Sequence, residues 1–487
     1  MESIVKRMRT KIIWFLVIGL FLIIAFLASL SYQPIDHSHK FVDIDSYISK
    51  KEMSTDIDSI KITFEKIHPN PYRFTGEIQL VSELDSIKRS LPDSLTIINF
   101  WRVINQIISR YNDAHSYADD SYVLTDYVSK NRLFFPLSAK IDDEKILVSQ
   151  NDSLEQFLPE GTEIIKINGK FYKELISDLL QHSIKETKQL RLKEISEDFS
   201  FNLWKTYDWN SDFKILYKTN DSESLDSITV KGINWEKRIK GASNESEQLS
   251  FRFLNDHTGY MKVPNFNGDE SEIIDFYEES FKLLEDKKST DLILDFRGHS
   301  GGSDSYGEHL AKHFAQQPFK KLSKAYWKIT PDFKEAFDRQ FIPKSVRWFK
   351  PIYLVNEYSK VFYGAELNEM VTVNYELKEP LPEEERFLGK VYLITDHNTF
   401  SAGSIFAEMF KYYNMGQIVG QPTGNLHSFN GFALANFTLP NSKLSFQVSS
   451  VYNLANSKEA GLKSVEPNYF VDSSADPINY ILENLIR

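Results

Sequence analysis

Apolar positions along this chain change their spacing as the sequence runs, and each spacing predicts a different element. Ile12 to Leu30, IIWFLVIGLFLIIAFLASL, is an uncharged run of roughly 19 residues, enough for a helix across a bilayer and longer than the core of a typical signal peptide. Two stretches with helical spacing follow, 57–67 and 97–111, the second carried by Phe100, Val103, Ile104, Ile107 and Ile108. Residues from about Arg132 to Thr229 read as short strands with one helix. The clearest piece is LPEGTEIIKINGKFYKELISDLL, with a turn at Glu160-Gly161, a strand, a second turn at Asn168-Gly169 and an amphipathic helix.

From about Ser250 strands and helices alternate. GYMKVPNF, DLILDF, KVYLITD and GQIVGQ read as strands, whereas SEIIDFYEESFKLLE, GEHLAKHFA and SAGSIFAEMFKYYN read as helices. Such alternation predicts an α/β domain with a largely parallel sheet. The expected organisation is an anchor over 1–32, a linker over 33–53, a helical region over 54–130, a β-rich domain over 131–245 and an α/β core over 250–487.

Composition narrows the function classes. A chain of 487 residues that is 41% hydrophobic has too much apolar material for one core, so two or three domains are expected. A formal charge of −11 argues against nucleic acid as a partner. The absence of cysteine excludes disulfides, thiolate zinc sites and cysteine nucleophiles. Lys6, Arg7, Arg9 and Lys11 precede the apolar run and favour a cytoplasmic N-terminus, which places the rest of the chain outside the cytosol. A cleavable signal ending near Ala28-Ser31 is the alternative and leads to the same compartment. Asp36-His37-Ser38-His39 carries two imidazoles and a carboxylate, but no recognised ligand motif accompanies it, and it reads as solvated linker. Nothing in the chain sets an oligomeric state.

Two serines compete for attention. Gly298-His299-Ser300-Gly301-Gly302 contains G-x-S-x-G directly after a strand, the pattern of an esterase nucleophile elbow, with Asp396 and His427 as nominal partners for Ser300. Against it, Asp295 and Arg297 put two charges just before the turn, and the chain upstream lacks the strands that build an esterase oxyanion site. Ser401 lies between KVYLITD and an amphipathic helix with Ile405, Phe406, Met409, Phe410 and Tyr413 on its apolar face. A serine there is either a helix cap or a nucleophile beside the unsatisfied N–H groups of a helix N-terminus.

Taken together, D-x-R-G-x-x-G-G after one strand and T-x-S-A-x-x-x-x-A-E about 100 residues later resemble the C-terminal processing (tail-specific) protease family, whose core is similar to ClpP and crotonase. The resemblance implies a serine peptidase with N-terminal helices and a PDZ-like module, here 131–245, whose groove accepts an extended peptide as an added strand. It implies Ser401 as nucleophile, with Gly301 or Gly302 and the N–H of Ala402 as the oxyanion hole, and Ser300 as a loop residue.

The lysine base of the tail-specific branch falls at Leu426, in Gly420-Gln421-Pro422-Thr423-Gly424-Asn425-Leu426-His427, so a Ser–Lys pair is not expected. Tyr111-Asn112-Asp113-Ala114-His115-Ser116 resembles the D-[GA]-H-[ST] segment of the tricorn-like branch and implies His115 as base, with His427 in reserve. Ala114 stands where that branch has an orienting serine, and Ser116 is the substitute. Glu459, in SKEAGLKSVEPNYFV, is the implied acid, Glu466 the weaker alternative, and Asn468 replaces an Asp. Asp295 and Arg297 are expected to hold the glycine loop, and Tyr72, in His68-Pro69-Asn70-Pro71-Tyr72, to pack. No metal or organic cofactor is implied. The partner is a peptide or unfolded protein, with the membrane contacted through the N-terminal helix. The rival to a working peptidase is a peptide-binding scaffold of the same fold without turnover.

Overall fold

The computed structural model describes residues 43–149, 158–219, 224–241, 248–342, 344, 347–348, 357–457, 462–472 and 474–486. The alternating segments after Ser250 build a six-stranded sheet in the order Ser250–Phe253, Thr258–Lys262, Asp291–Asp295, Lys390–Thr395, Gln417–Gly420, Tyr469–Phe470. The first pair is antiparallel and the others are parallel. Side chains alternate between faces, and both faces are covered, so the central strands are continuously apolar. Met261, Leu292, Leu294, Val391 and Leu393 face the helices Glu270–Asp286, Asp304–Lys312 and Ala402–Tyr412. Tyr260, Ile293, Tyr392 and Ile394 face the other way, against Val471 and against Ile481 of the closing helix Pro477–Asn484, which follows it.

A second, antiparallel sheet was not foreseen. Its strands run Glu369–Asn374, Lys324–Ile329, Ser445–Leu454, Phe429–Thr438, and Tyr117–Ala118 pairs with Ser445–Leu454. This sheet shares one core with the N-terminal helices Lys50–Ile67, Glu77–Ser90 and Ile97–Ser109. Ile57, Phe64, Trp101 and Ile104 are buried together with Trp327, Phe362, Leu434 and Phe446. Ser49 caps the first helix through a reciprocal capping box with Glu52. Buried Asp56 of that helix accepts from the N–H groups of Asn441 (3.0 Å) and Ser442 (2.8 Å), which fixes the hairpin between the two long strands. Residues 43–53, the described part of the expected linker, are folded: Ile44, Ile48 and Met53 lie in this core and Tyr47–Ser49 pairs with Ser94–Thr96. Among the described residues no helix is long and apolar enough to cross a membrane; the expected span at Ile12–Leu30 lies outside them, as does the Asp36–His39 cluster.

The β-rich region is an antiparallel sheet, Ala139–Asp142, Lys145–Val148, Glu163–Ile167, Asp212–Lys218, Asp226–Lys231, with Lys170–Phe171 hairpinned onto Glu163–Ile167. The hairpin turn is the expected Asn168-Gly169, with φ of +48° and +85°, the left-handed pair that suits a two-residue connection. Helices Tyr172–Leu180, Lys188–Glu197 and Phe199–Thr206 pack on this sheet around Ile164, Leu175 and Phe213. The turn at 181–187 rests on the end of helix Ile97–Ser109. Arg191 donates to the carbonyls of Leu180 (2.9 Å), Lys185 (2.7 Å) and Ser109 (2.9 Å) and to the Asn112 side chain (2.5 Å).

Candidate active site

Asp291–Asp295 and Lys390–Thr395 are adjacent parallel strands, so the loops that leave them emerge side by side at the carboxyl edge of the sheet. They are tied together. The Gly298 N–H donates to Asp396 Oδ1 (3.1 Å), the Thr399 hydroxyl to the Phe296 carbonyl (2.8 Å), and the Phe400 N–H to the His299 carbonyl (2.8 Å). Beneath the first loop, fully buried Asp295 takes Arg297 through Nε (3.0 Å) and Nη2 (2.5 Å), and Tyr260 Oη (2.9 Å). Burial pushes the Asp295 carboxyl up, but the Arg297 hydrogen bonds and the Lys262 and Arg297 charges outweigh it and hold it below the usual range. The pair anchors the loop, as its place in the sequence suggests.

Ser401 sits at the junction of strand and helix with φ +52° and ψ −120°. A non-glycine residue held there stores about 1–3 kcal/mol of strain, which the surroundings must enforce. Its side chain makes no capping bond to the helix it precedes. The N–H of Ser401 donates instead to Oδ1 of fully buried Asn425 (2.6 Å). Gly301 lies directly against this serine: a Cβ there would be 2.7 Å from Ser401 Cβ and 3.2 Å from its Oγ. Ser300 differs in every respect. It is exposed, its N–H donates to the Pro264 carbonyl (3.0 Å), and its φ is not positive. The strained turn that an elbow pattern predicts is built at Ser401.

The glycine loop supplies two N–H groups of different fate. That of Gly301 donates to His299 Nδ1 (3.1 Å). The Gly301 carbonyl accepts from Phe266 N–H (2.7 Å), and because the next peptide is trans, the N–H of Gly302 points away from Phe266. Because the Gly301 N–H is taken up by His299, Gly302 is the better candidate of the two for an oxyanion donor. A Cβ on Gly302 would fall 2.3 Å from the Phe266 carbonyl oxygen. Fully buried His299 wedges between Phe266, Phe296 and the first helical turn, and burial lowers its pKa to about 3. Because its Nδ1 accepts, its proton resides on Nε2.

His115 arrives from the end of helix Ile97–Ser109, and its ring lies between Phe400 (centroids 4.6 Å apart) and Phe429 (5.4 Å), beside Ser401 in sequence. Both ring nitrogens are buried without a hydrogen-bond partner among the described residues. Burial lowers its pKa to about 4; Asp113 opposes the shift, the Lys185 ammonium adds to it, and the Asn430 main chain favours the charged form without closing a hydrogen bond. The imidazole is thus neutral and able to accept a proton throughout the neutral range. Asp113, two residues before it, is buried and binds His68 Nε2 (3.1 Å), Ser116 Oγ (2.5 Å) and the N–H of His115 (3.0 Å). Burial raises the Asp113 carboxyl, but the His68 hydrogen bond and the neighbouring imidazoles hold it well below the usual range.

Ser116 does not orient His115: its hydroxyl donates to Asp113 and accepts the N–H of Ser449 (2.9 Å). Leu426, at the lysine's position, is fully buried, and half-buried His427 bonds through its N–H to the Lys463 carbonyl (2.8 Å). Glu466 is exposed, and its carbonyl takes Lys411 (2.6 Å). Asn468 ties 462–472 to the sheet through Ile418. Tyr72 donates to Glu65 Oε1 (2.5 Å) and packs on the helical core. Glu459 lies outside the described residues. Sequence reasoning missed Asn425, Asp113, His68 and His299, although the first stands beside the failed lysine and the second opens the histidine motif. It also missed Glu186, nine-tenths buried in the turn before helix Lys188–Glu197, whose Oε1 accepts from Asn425 Nδ2 (3.0 Å).

Residues 257–471 match the family model for peptidase family S41. No curated protein matches the chain by sequence. Among solved structures, mature CPAF aligns with a TM-score of 0.58 at 13% identity, over 86% of this chain and 92% of that one. Mature CPAF complexed with lactacystin aligns at 0.58 and 12% identity, over 86% and 94%. The photosystem II D1 C-terminal processing protease is more distant, at TM-score 0.42 and 11% identity over 86% and 93%. The CPAF alignments establish a shared fold, and the family match falls on the segment that carries the glycine loop and Ser401. That segment, 257–471, matches peptidase family S41, and the match supports a serine-type peptidase.

Proposed function

We propose that the chain is an endopeptidase that cleaves peptides or unfolded proteins through an acyl-enzyme on Ser401, with His115 as general base. The observation that carries this reading is the Ser401 turn: a serine held at positive φ, not capping its helix, pressed against a glycine loop and flanked by the Phe400–His115 stack. His115 takes the hydroxyl proton, Oγ attacks the scissile carbonyl, and the N–H groups of Gly302 and Ala402 receive the oxyanion. His115 returns the proton to the leaving amine, and water hydrolyses the ester with the same base. Glu459 is retained as the acid on the strength of its motif alone, and Asp113 supplies a negative charge near His115.

The region 131–245 is proposed as a PDZ-like module that takes an extended segment of substrate. The cationic residues before Ile12–Leu30 support a membrane-anchored protein with its catalytic part outside the cytoplasm.

The test uses the full chain in detergent, an unstructured protein and mass spectrometry of the products. Wild type and Ser300→Ala generate new peptides, whereas Ser401→Ala and His115→Ala fall by roughly a thousandfold or more. Folded variants that all fail to cleave, wild type included, would instead favour a scaffold without turnover. Loss in Ser300→Ala alone would restore the esterase-type elbow.

A further inference from the structure

The turn that carries Ser401 is held by a residue from the β-rich region. Asn425 is fully buried and bridges two groups: its Oδ1 accepts the Ser401 N–H (2.6 Å), and its Nδ2 donates to Glu186 Oε1 (3.0 Å). Glu186 is itself 8% exposed, and its other oxygen, Oε2, has no partner among the described residues. A buried carboxyl with one oxygen unmet is costly to keep, so its retention calls for a role. The Glu186 turn is clamped by Arg191, which also holds Ser109 and Asn112 at the root of the His115 segment. Lys185 next door lies over the Phe400 ring (4.2 Å), and Glu197, at the end of the following helix, binds His397 and Asn398 in the loop before Ser401.

We propose that Glu186 is a positioning residue for Ser401, acting through Asn425, so that a carboxyl of the β-rich region sets the strained geometry of the nucleophile. The inference rests on the peptidase reading of Ser401. An ionised Glu186 is the stronger acceptor, so it fixes the Asn425 amide in the flip that presents Oδ1 to the serine N–H. A protonated Glu186 weakens that hold. Burial pushes the carboxyl up to about 7; the Lys185 ammonium opposes this, Asp113 adds to it, and Arg191 is the other charge facing it. The relay therefore switches within the neutral range.

Hydrogen exchange of the full-length protein, resolved to single residues by electron-transfer fragmentation, reads the relay without any substrate. The Ser401 amide loses about tenfold or more of its protection in Glu186→Ala, while those of Phe400 and Gly424, bonded to His299 and Thr399, do not change. Glu186→Gln keeps the protection to within about threefold at every pH, since a glutamine oxygen still accepts from Asn425, and it abolishes the rise in Ser401 protection between about pH 6 and 8 shown by wild type. In the cleavage assay Glu186→Ala lowers kcat about 10- to 100-fold with KM little changed, and Glu186→Gln restores most of it. Unchanged Ser401 protection in Glu186→Ala, or a wild-type protection that is flat with pH, overturns the proposal; should the alanine variant not fold, the glutamine pH series decides alone. A dead Ser401→Ala beside a Glu186→Ala that matches wild type in kcat sinks only the role of Glu186. Full activity in Ser401→Ala sinks the peptidase reading, and the nucleophile role assigned to the relay falls with it.

Discussion

The two turns that meet at the carboxyl edge of the sheet are held in opposite ways. The glycine turn is supported by its own neighbourhood: Asp295, Arg297 and Tyr260 lie in or beside the strand it leaves, and His299 within it fills the space beneath. The Ser401 turn depends on distant parts of the chain. Asn425 lies 24 residues on, Glu186 is 239 residues from Asn425, and Glu197 is 200 from His397. One turn is a fixed surface built for close backbone approach. The other is bent into a strained conformation and kept there by contacts that a movement of the β-rich region would break. A locally anchored glycine turn and a Ser401 turn held by distant residues therefore lie against each other at one edge of the sheet.

Substitutions within the glycine turn test its rigidity most severely. Gly301→Ala puts a Cβ 2.7 Å from that of Ser401, at a φ of +103° that alanine resists, so activity falls by roughly a hundredfold or more. Gly298→Ala has a φ of +72° but nothing within 4 Å of the added carbon. It costs about 1–2 kcal/mol of stability and leaves kcat within about threefold. Melting curves and cleavage rates on the pair check the contrast; equal activity in both variants would mean that the close approach to Ser401 does not matter. Breaking the anchor comes next. Asp295→Asn leaves the half-buried Arg297 and buried Lys262 without their carboxylate and lowers stability by about 3–5 kcal/mol, measured by denaturant titration at pH 7.

The same contrast explains what could be read from the chain beforehand. DLILDF and KVYLITD declare buried parallel strands because both faces of that sheet are covered, and the loops after them carry their glycines and serine in sequence. The glycine turn was legible because its motif carries its own anchor, Asp295 with Arg297, two residues apart. The Ser401 turn was legible only in part: Ser401 stands in a motif, but Asn425 and Glu186 reach it through contacts that spacing does not encode. The second sheet was missed for a related reason. Phe429–Thr438 and Ser445–Leu454 are half of a core whose other half, around Ile57, Phe64 and Trp101, lies more than 300 residues earlier. His115 stands in a motif, yet the residue that steadies its turn is Asp113, held in place by His68, and not Ser116, because the Ser116 hydroxyl serves Asp113 and the Ser449 amide.

The last contrast concerns the two buried carboxyls that support the turns, because their burial has opposite consequences. Asp295 is paired with cations and its pKa is lowered, so the stability it provides is present above its unfolded pKa and is lost as pH falls. Glu186 has its pKa raised from 4.5 to about 7. Between those values the unfolded chain releases the proton while the folded chain keeps it, so folding becomes less favourable as pH rises through this window, by at most about 3 kcal/mol. Glu186→Gln removes that penalty. It melts at a higher temperature than wild type at pH 8 and at about the same temperature at pH 4.5, the reverse of Asp295→Asn, which loses most at pH 8. A Glu186→Gln variant that is destabilised at pH 8 would show that the ionised carboxyl has a partner that compensates its burial, and the Ser401 turn would then be as firmly supported as the glycine turn opposite it.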